Sequence, residues 1–214
     1  NEPIKLVTPD MWFMMGYFIG NSYFTGNGCF IDNDCCVDTM REHSVMKRIC
    51  FCINEKHIDN ILNISKHWLP LNFSHHSCKS GKTSVYVSCD KVWFNIFKKF
   101  GKYAHEKLIP EWVQDAPTEY IQEFVNGYRT ADGCITKNDC YEFATVSYNL
   151  AFGLQRLYLK LGQLFGINKC IRPKTTVIEG KTVNQRDTYS IRGYVKENKK
   201  KQSSFIENGY VWYA

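Results

Sequence analysis

The sequence predicts an α+β protein made by internal duplication. Two antiparallel sheets would form a saddle around a central two-helix interface, related by a pseudo-twofold. Three observations lead there. Two segments, Met14-Met-Gly-Tyr-Phe-Ile-Gly-Asn-Ser22 and Phe124-Val-Asn-Gly-Tyr-Arg-Thr-Ala-Asp-Gly133, superimpose with Gly16-Tyr17 on Gly127-Tyr128. The order helix, strand pair, helix, strand pair follows from each copy. Basic residues alternate with apolar ones on strands such as Ile171-Arg-Pro-Lys174 and Tyr189-Ser-Ile-Arg192, which makes one sheet face charged. The 214 residues fit a single domain of two repeats, about 9–112 and 118–196.

Pro9-Asp10 opens a helix through Met11–Gly20 that is apolar or small all round, as a helix buried on every side must be. Gly26-Asn27-Gly28 marks a turn before a short strand, Cys29–Ile31. Lys47–Ile53 is a strand, and Asn54 caps a helix carrying Ile58, Ile61, Leu62, Ile64 and Trp68. Lys79-Ser-Gly-Lys82 is a basic hairpin turn before the strand Thr83–Ser88. Asp90 caps a helix with Val92, Trp93, Ile96, Phe97 and Phe100 on one face. Pro110 and Pro117 each open a helix, the second carrying the second glycine motif. A strand pair follows over Thr136–Ser147 with a turn at Lys137. A leucine-rich helix then runs from Leu150 to Leu164, with Gly166 as its C-cap. Strands Asn168–Val177 and Thr188–Val195, joined at Glu179-Gly180, complete the pattern.

The apolar content of 44% supplies a core and excludes a disordered chain. No apolar run approaches the ~18 residues of a membrane span. The net charge of +6 suits an anionic partner. Ten cysteines in a chain of this size, with Cys35 and Cys36 adjacent and Cys50 and Cys52 alternating on a strand, read as free thiols. They imply an intracellular, reducing compartment, nucleus or cytoplasm. Zinc would need Cys78 with His75 and His76, a set with no CxxC pair beside it.

The residues at the motif ends carry the chemistry. Small residues let two helix backbones approach, which brings Asn21 and Asp132 side by side at the foot of the pair. Two carboxylates so placed make a divalent-metal site for phosphodiester chemistry. Here one of the two is an amide. The basic strands form ribbons that can enter the DNA major groove. Their expected contacts are Lys47, Arg48, Lys79, Lys82, Lys137, Lys169, Arg172, Lys174, Arg186 and Arg192.

These paired segments resemble the LAGLIDADG motifs of homing endonucleases, of the two-motif, single-chain type found in inteins. Lys107-Leu-Ile-Pro-Glu-Trp112 resembles the block between the motifs, and Thr145–Gly162 resembles the helix after the second. Gly209–Ala214 looks like chain leading back into a splicing domain, which is expected to be absent here. The resemblance implies a site-specific double-stranded DNA endonuclease, monomeric, with a long recognition site and no membrane association. It implies Mg2+ (or Mn2+) held by residues 21 and 132 with the backbone of Gly20 and Ala131, and a catalytic Lys107. Asn21 stands in one carboxylate position and Ser22 in that of the following glycine. Two readings follow: an endonuclease impaired at Asn21, which Asn21→Asp restores, or a cleavage-inactive, DNA-binding relative, maturase-like or decayed. Asn21 itself is either natural or an introduced Asp→Asn change.

Overall fold

Pro at the first helical position and a run of apolar residues start the first element, α1 (Pro9–Asn21), whose residues Trp12 to Ile19 are all buried. The computed structural model describes residues 8–25, 48–68, 74–77, 83–88, 91–136, 140–178, 180–194, 204–207 and 210–213. The chain divides into two compact units, residues 1–102 with 122–132, and residues 103–121 with 133–214.

In the first unit α1 leads directly into β1 (Ser22–Thr25). It is followed by β2 (Arg48–Asn54), α2 (Ile58–Trp68), β3 (Ser74–Ser77), β4 (Thr83–Ser88) and α3 (Lys91–Phe97). The strands form one antiparallel sheet in the order β1-β2-β4-β3. Asn54 caps a short 3-10 turn ahead of α2 by accepting from the Lys56 N–H. Ile49, Phe51 and Ile53 alternate onto the helix side of β2, where Phe18 and Phe97 meet Phe51, with Phe24 against Phe18 and Phe100 beside Phe97. Each such ring, fully buried, contributes on the order of 2 kcal/mol by area removed from water. Phe100 stacks on Phe124 of α5 (Thr118–Asp132), whose stretch from Gln122 onward packs with this unit. Val92 lies off the face assigned to it and is 49% exposed, because the buried stripe of α3 runs through Trp93 and Phe97.

The second unit opens with Tyr103–Pro110 and α4 (Glu111–Gln114). After α5 come β5 (Cys134–Ile135), β6 (Cys140–Thr145), α6 (Tyr148–Lys160), β7 (Phe165–Cys170), β8 (Thr175–Ile178), β9 (Lys181–Asn184) and β10 (Thr188–Tyr194). Its sheet has the order β5-β6-β10-β7, all pairs antiparallel. Tyr141, Phe143, Phe165 and Ile191 pack beneath Leu150, Leu154, Leu157 and Tyr158 of α6. Ser147 caps α6 and donates to the Lys107 carbonyl at 2.5 Å, which ties the Lys107 block to the helix start. A further hairpin, β11 (Ser204–Glu207) with β12 (Tyr210–Tyr213), closes the described chain.

Two boundaries differ from the sequence reading. The helix ends at Lys160, not near Gly166. Gly162, at φ 73°, reverses the chain, and the Gln163 N–H closes onto the Tyr158 carbonyl at 2.9 Å. Gly166 sits inside β7 instead. The long strand Asn168–Val177 is really two, broken around Pro173, which has no N–H for a ladder. Gly180, at φ 77°, therefore lies between β8 and β9, Glu179 being outside the described residues, and that hairpin is inserted between β7 and its true partner β10.

Candidate functional site

The glycines of the two motifs are where the helices touch. A Cβ on Gly16 would lie 1.8 Å from the Phe124 carbonyl oxygen, and one on Gly127 would lie 1.9 Å from that of Phe13. The contact is reciprocal, backbone against backbone, and only glycine permits it at both points. One turn further on, a Cβ on Gly20 would lie 2.6 Å from the Ala131 Cβ and 3.4 Å from the Asp132 Cβ. The C-terminal ends of α1 and α5 thus lie against each other.

Asn21 is half-buried and Asp132 is exposed. The Asn21 amide nitrogen donates to the Cys52 carbonyl at 3.1 Å, and the Tyr17 hydroxyl donates to the same oxygen at 3.0 Å. A carbonyl only accepts, so the partner fixes the amide with its nitrogen toward β2. Burial pushes the Tyr17 phenol up to about 12, with the hydrogen bond to Asn21 acting the other way. On α5 the hydroxyl of Tyr128 instead donates to the Asp132 carboxylate, at 3.4 Å. Ser22 needs no glycine geometry, since its backbone is extended at φ −136°, ψ 165°.

The donors at these helix ends are one exposed carboxylate, one amide whose nitrogen faces a carbonyl, and the backbone of Gly20 and Ala131. Among the described residues no group of three or more His, Cys, Asp or Glu is placed to hold a metal. This set does not fit a divalent ion held between paired carboxylates. Lys107 is half-buried in the second unit, its carbonyl engaged by Ser147.

The basic residues divide into five groups. Lys47, Lys79, Lys82 and Lys137, with the turns they belong to and the strand at Cys29–Ile31, lie outside the described residues, as do Cys78 and the cap at Asp90. Arg48 begins β2, half-buried. Arg192 points to the outer face of the second sheet and is paired with Glu142 at 2.6 Å; that partner also accepts from Ser190. Its guanidinium is raised above its ordinary value by the Glu142 hydrogen bond. Lys169 has the strand parity of Phe165 and Ile167, which places it on the helix side of the sheet. It pairs with Asp187 at 2.9 Å, which raises the lysine and lowers the carboxyl. Arg172, Lys174 and Arg186 are exposed and meet at the base of the β8–β9 hairpin. There Gln185 donates its N–H to the Lys174 carbonyl, and Arg172 donates its own to Asp187.

The sequence reading did not include Glu142, Asp187 or the Cys52 carbonyl. The two carboxylates become partners only through strand register, and the carbonyl is backbone. The tyrosines were legible, each one turn before a motif-end residue. The five cysteines among the described residues, Cys50, Cys52, Cys134, Cys140 and Cys170, form no disulfide. Among the same residues no helix is long and apolar enough to cross a membrane.

This architecture is the LAGLIDADG homing endonuclease fold. Residues 119–202 match the family model of the LAGLIDADG-like domain. Among solved structures, a mesophilic variant of the homing endonuclease I-DmoI superimposes with a TM-score of 0.56 at 12% identity, covering 89% of this chain and 92% of that one. I-DmoI in complex with DNA and Mn gives 0.53 at 12% identity, over 90% and 93% of the two chains. The N-terminal LAGLIDADG domain of DUF199/WhiA gives 0.50 at 12% identity, over 91% and 80%. I-DmoI has also been solved with DNA and Ca, and a variant of it with target DNA and Mg. In sequence, the uncharacterized protein MJ1054 of Methanocaldococcus jannaschii is 32% identical over 152 residues, 66% of this chain. The match spans only 17% of that protein's length.

Proposed function

We propose that this chain binds a long site in double-stranded DNA and, as it stands, does not make double-strand breaks. The observation that carries the first half is the cluster of Arg172, Lys174 and Arg186, three exposed cations at the base of one hairpin. Such a group suits phosphates flanking a groove into which a ribbon can enter. Arg192, held by Glu142, stands on the outer face of the adjoining sheet, where an oriented guanidinium suits a base edge. The second half rests on the helix ends, which carry one carboxylate, Asp132, and one amide, Asn21, bonded to the Cys52 carbonyl. The binding partner of I-DmoI in its solved complexes is consistent with this. The match to a small part of a much longer protein supports an inserted, intein-borne origin.

Cleavage of one strand with Mg2+ or Mn2+ is the second reading. One observation favours it: Asp132 remains, an exposed carboxylate at the end of α5 with the Tyr128 hydroxyl beside it.

Two measurements test this. Binding to a mixed-sequence duplex should weaken steeply with salt, with a log–log slope of about −3 to −6 for roughly three to seven phosphates neutralised. A flat plot would remove the DNA-binding reading. After recovery of a preferred site from a randomised duplex library, a supercoiled plasmid carrying it should stay unlinearised in Mg2+ or Mn2+. Linear product would remove the second half, and nicked circles alone would favour the single-strand reading.

A further inference from the structure

We infer that the end of α1 is a structural joint rather than half of a metal site, and that position 21 requires an amide. Ser22 pairs with Phe51, so Cys52 is the next residue along β2, alongside the point where α1 hands over to β1. The β1–β2 register begins at Ser22 with Phe51 and does not extend to Cys52. There two side chains one helical turn apart donate to the Cys52 carbonyl, Tyr17 at 3.0 Å and Asn21 at 3.1 Å. They extend the ladder beyond the strand and lock the helix end to the sheet.

Aspartate cannot do this. Its carboxylate has no proton to give at neutral pH, and an oxygen facing the carbonyl at that distance would repel it. At the neighbouring helix end the Asp132 Cβ lies 3.4 Å from the place a Cβ on Gly20, the residue before Asn21, would occupy, so an acid at position 21 would add a second negative charge to an end that already carries one. Among the described residues no group of three or more His, Cys, Asp or Glu is placed to hold a metal that would offset it. The amide is thus built into this chain's structure, and restoring an acid does not restore an active site. The inference deepens the function proposed above, from which it takes only the absence of double-strand cleavage.

The test is thermal melting of the whole chain as wild type, Asn21→Asp, Asn21→Ala, Tyr17→Phe and the Asn21→Ala/Tyr17→Phe pair, each with and without 10 mM MgCl2. Asn21→Asp should melt about 5 °C below wild type, and Asn21→Ala less far below. The double variant should fall by more than the sum of its singles, because either donor alone still serves the carbonyl. Magnesium should leave the Asn21→Asp midpoint where it is, and the variant should not cut plasmid bearing the recovered site. An Asn21→Asp protein as stable as wild type, one raised by magnesium, or additive Asn21 and Tyr17 effects would each overturn the joint. Should Asn21→Asp fail to fold, Asn21→Ala and the double variant still decide. None of the melting readouts involves DNA, so a failure of the joint is distinguishable from a failure of DNA binding.

Discussion

At the end of α1, Tyr17 and Asn21 both donate to one backbone oxygen of β2, whereas at the end of α5 Tyr128 donates to Asp132, the residue in Asn21's place. The two helix ends share a glycine, a buried tyrosine and a spacing, yet at one the motif-end side chain bonds to the sheet and at the other it is exposed. The difference is a single atom exchanged between an amide and an acid. An amide can donate to a half-buried backbone carbonyl, as Asn21 does to Cys52. A carboxylate cannot, and at Asp132 it stays exposed beside the Tyr128 hydroxyl. Equivalent positions in a duplicated fold therefore need not keep equivalent work.

The largest effect should come from what the two ends share. Gly127→Ala places a methyl group 1.9 Å from the Phe13 carbonyl oxygen, and Gly16→Ala does the same at 1.8 Å to Phe124. Both clashes are with backbone, so the helices must separate. Each change should cost about 3 kcal/mol or more, read as a midpoint lower by roughly 10 °C. Gly166→Ala, with nothing within 4 Å, is the control and should melt with wild type.

Tyr17 comes next. Its phenol sits at about 12 in the folded chain against an ordinary value of 10.0. The folded pKa is raised, so this contribution to stability is complete below pH 10 and is lost as pH rises through about 12. Tyr17→Phe should lose about 1 kcal/mol at neutral pH from the missing hydrogen bond, and its stability should fall less steeply than wild type above pH 10. Parallel alkaline curves for the two proteins would break the contrast at the α1 end.

Tyr128→Phe should do least. A hydroxyl 3.4 Å from an exposed carboxylate is a weak contact, worth less than about 0.5 kcal/mol. A midpoint fall as large as that of Tyr17→Phe would show that the two ends are braced alike.

Much of this was legible in advance. The glycines, the paired motif ends and the α+β class came from periodicity and small-residue spacing, which are local signals. The strand Thr83–Ser88 was read with its final bounds for the same reason. What sequence missed depended on pairing at long range. Lys169 and Arg192 looked alike, each a cation in an alternating strand. Register put Arg192 opposite Glu142 on the outer face, and parity put Lys169 on the helix side against Asp187. The end of α6 was misplaced because Leu161 and Leu164 continue the apolar period past a glycine that reverses the chain. The hydrogen bond from Asn21 to the Cys52 carbonyl could not be read in advance, because its acceptor is backbone and has no letter of its own.

The reciprocal glycine contact also sets a rule for recombination. Each helix offers a bare glycine to the other's carbonyl and a carbonyl to the other's glycine. A chimaera joining α1 of this chain to the second motif helix of a relative must match both points at once. Any half that brings a side chain to either crossing will fail, however well its sheet folds. Halves that keep glycine at both remain exchangeable, and with them the choice of amide or acid at each helix end.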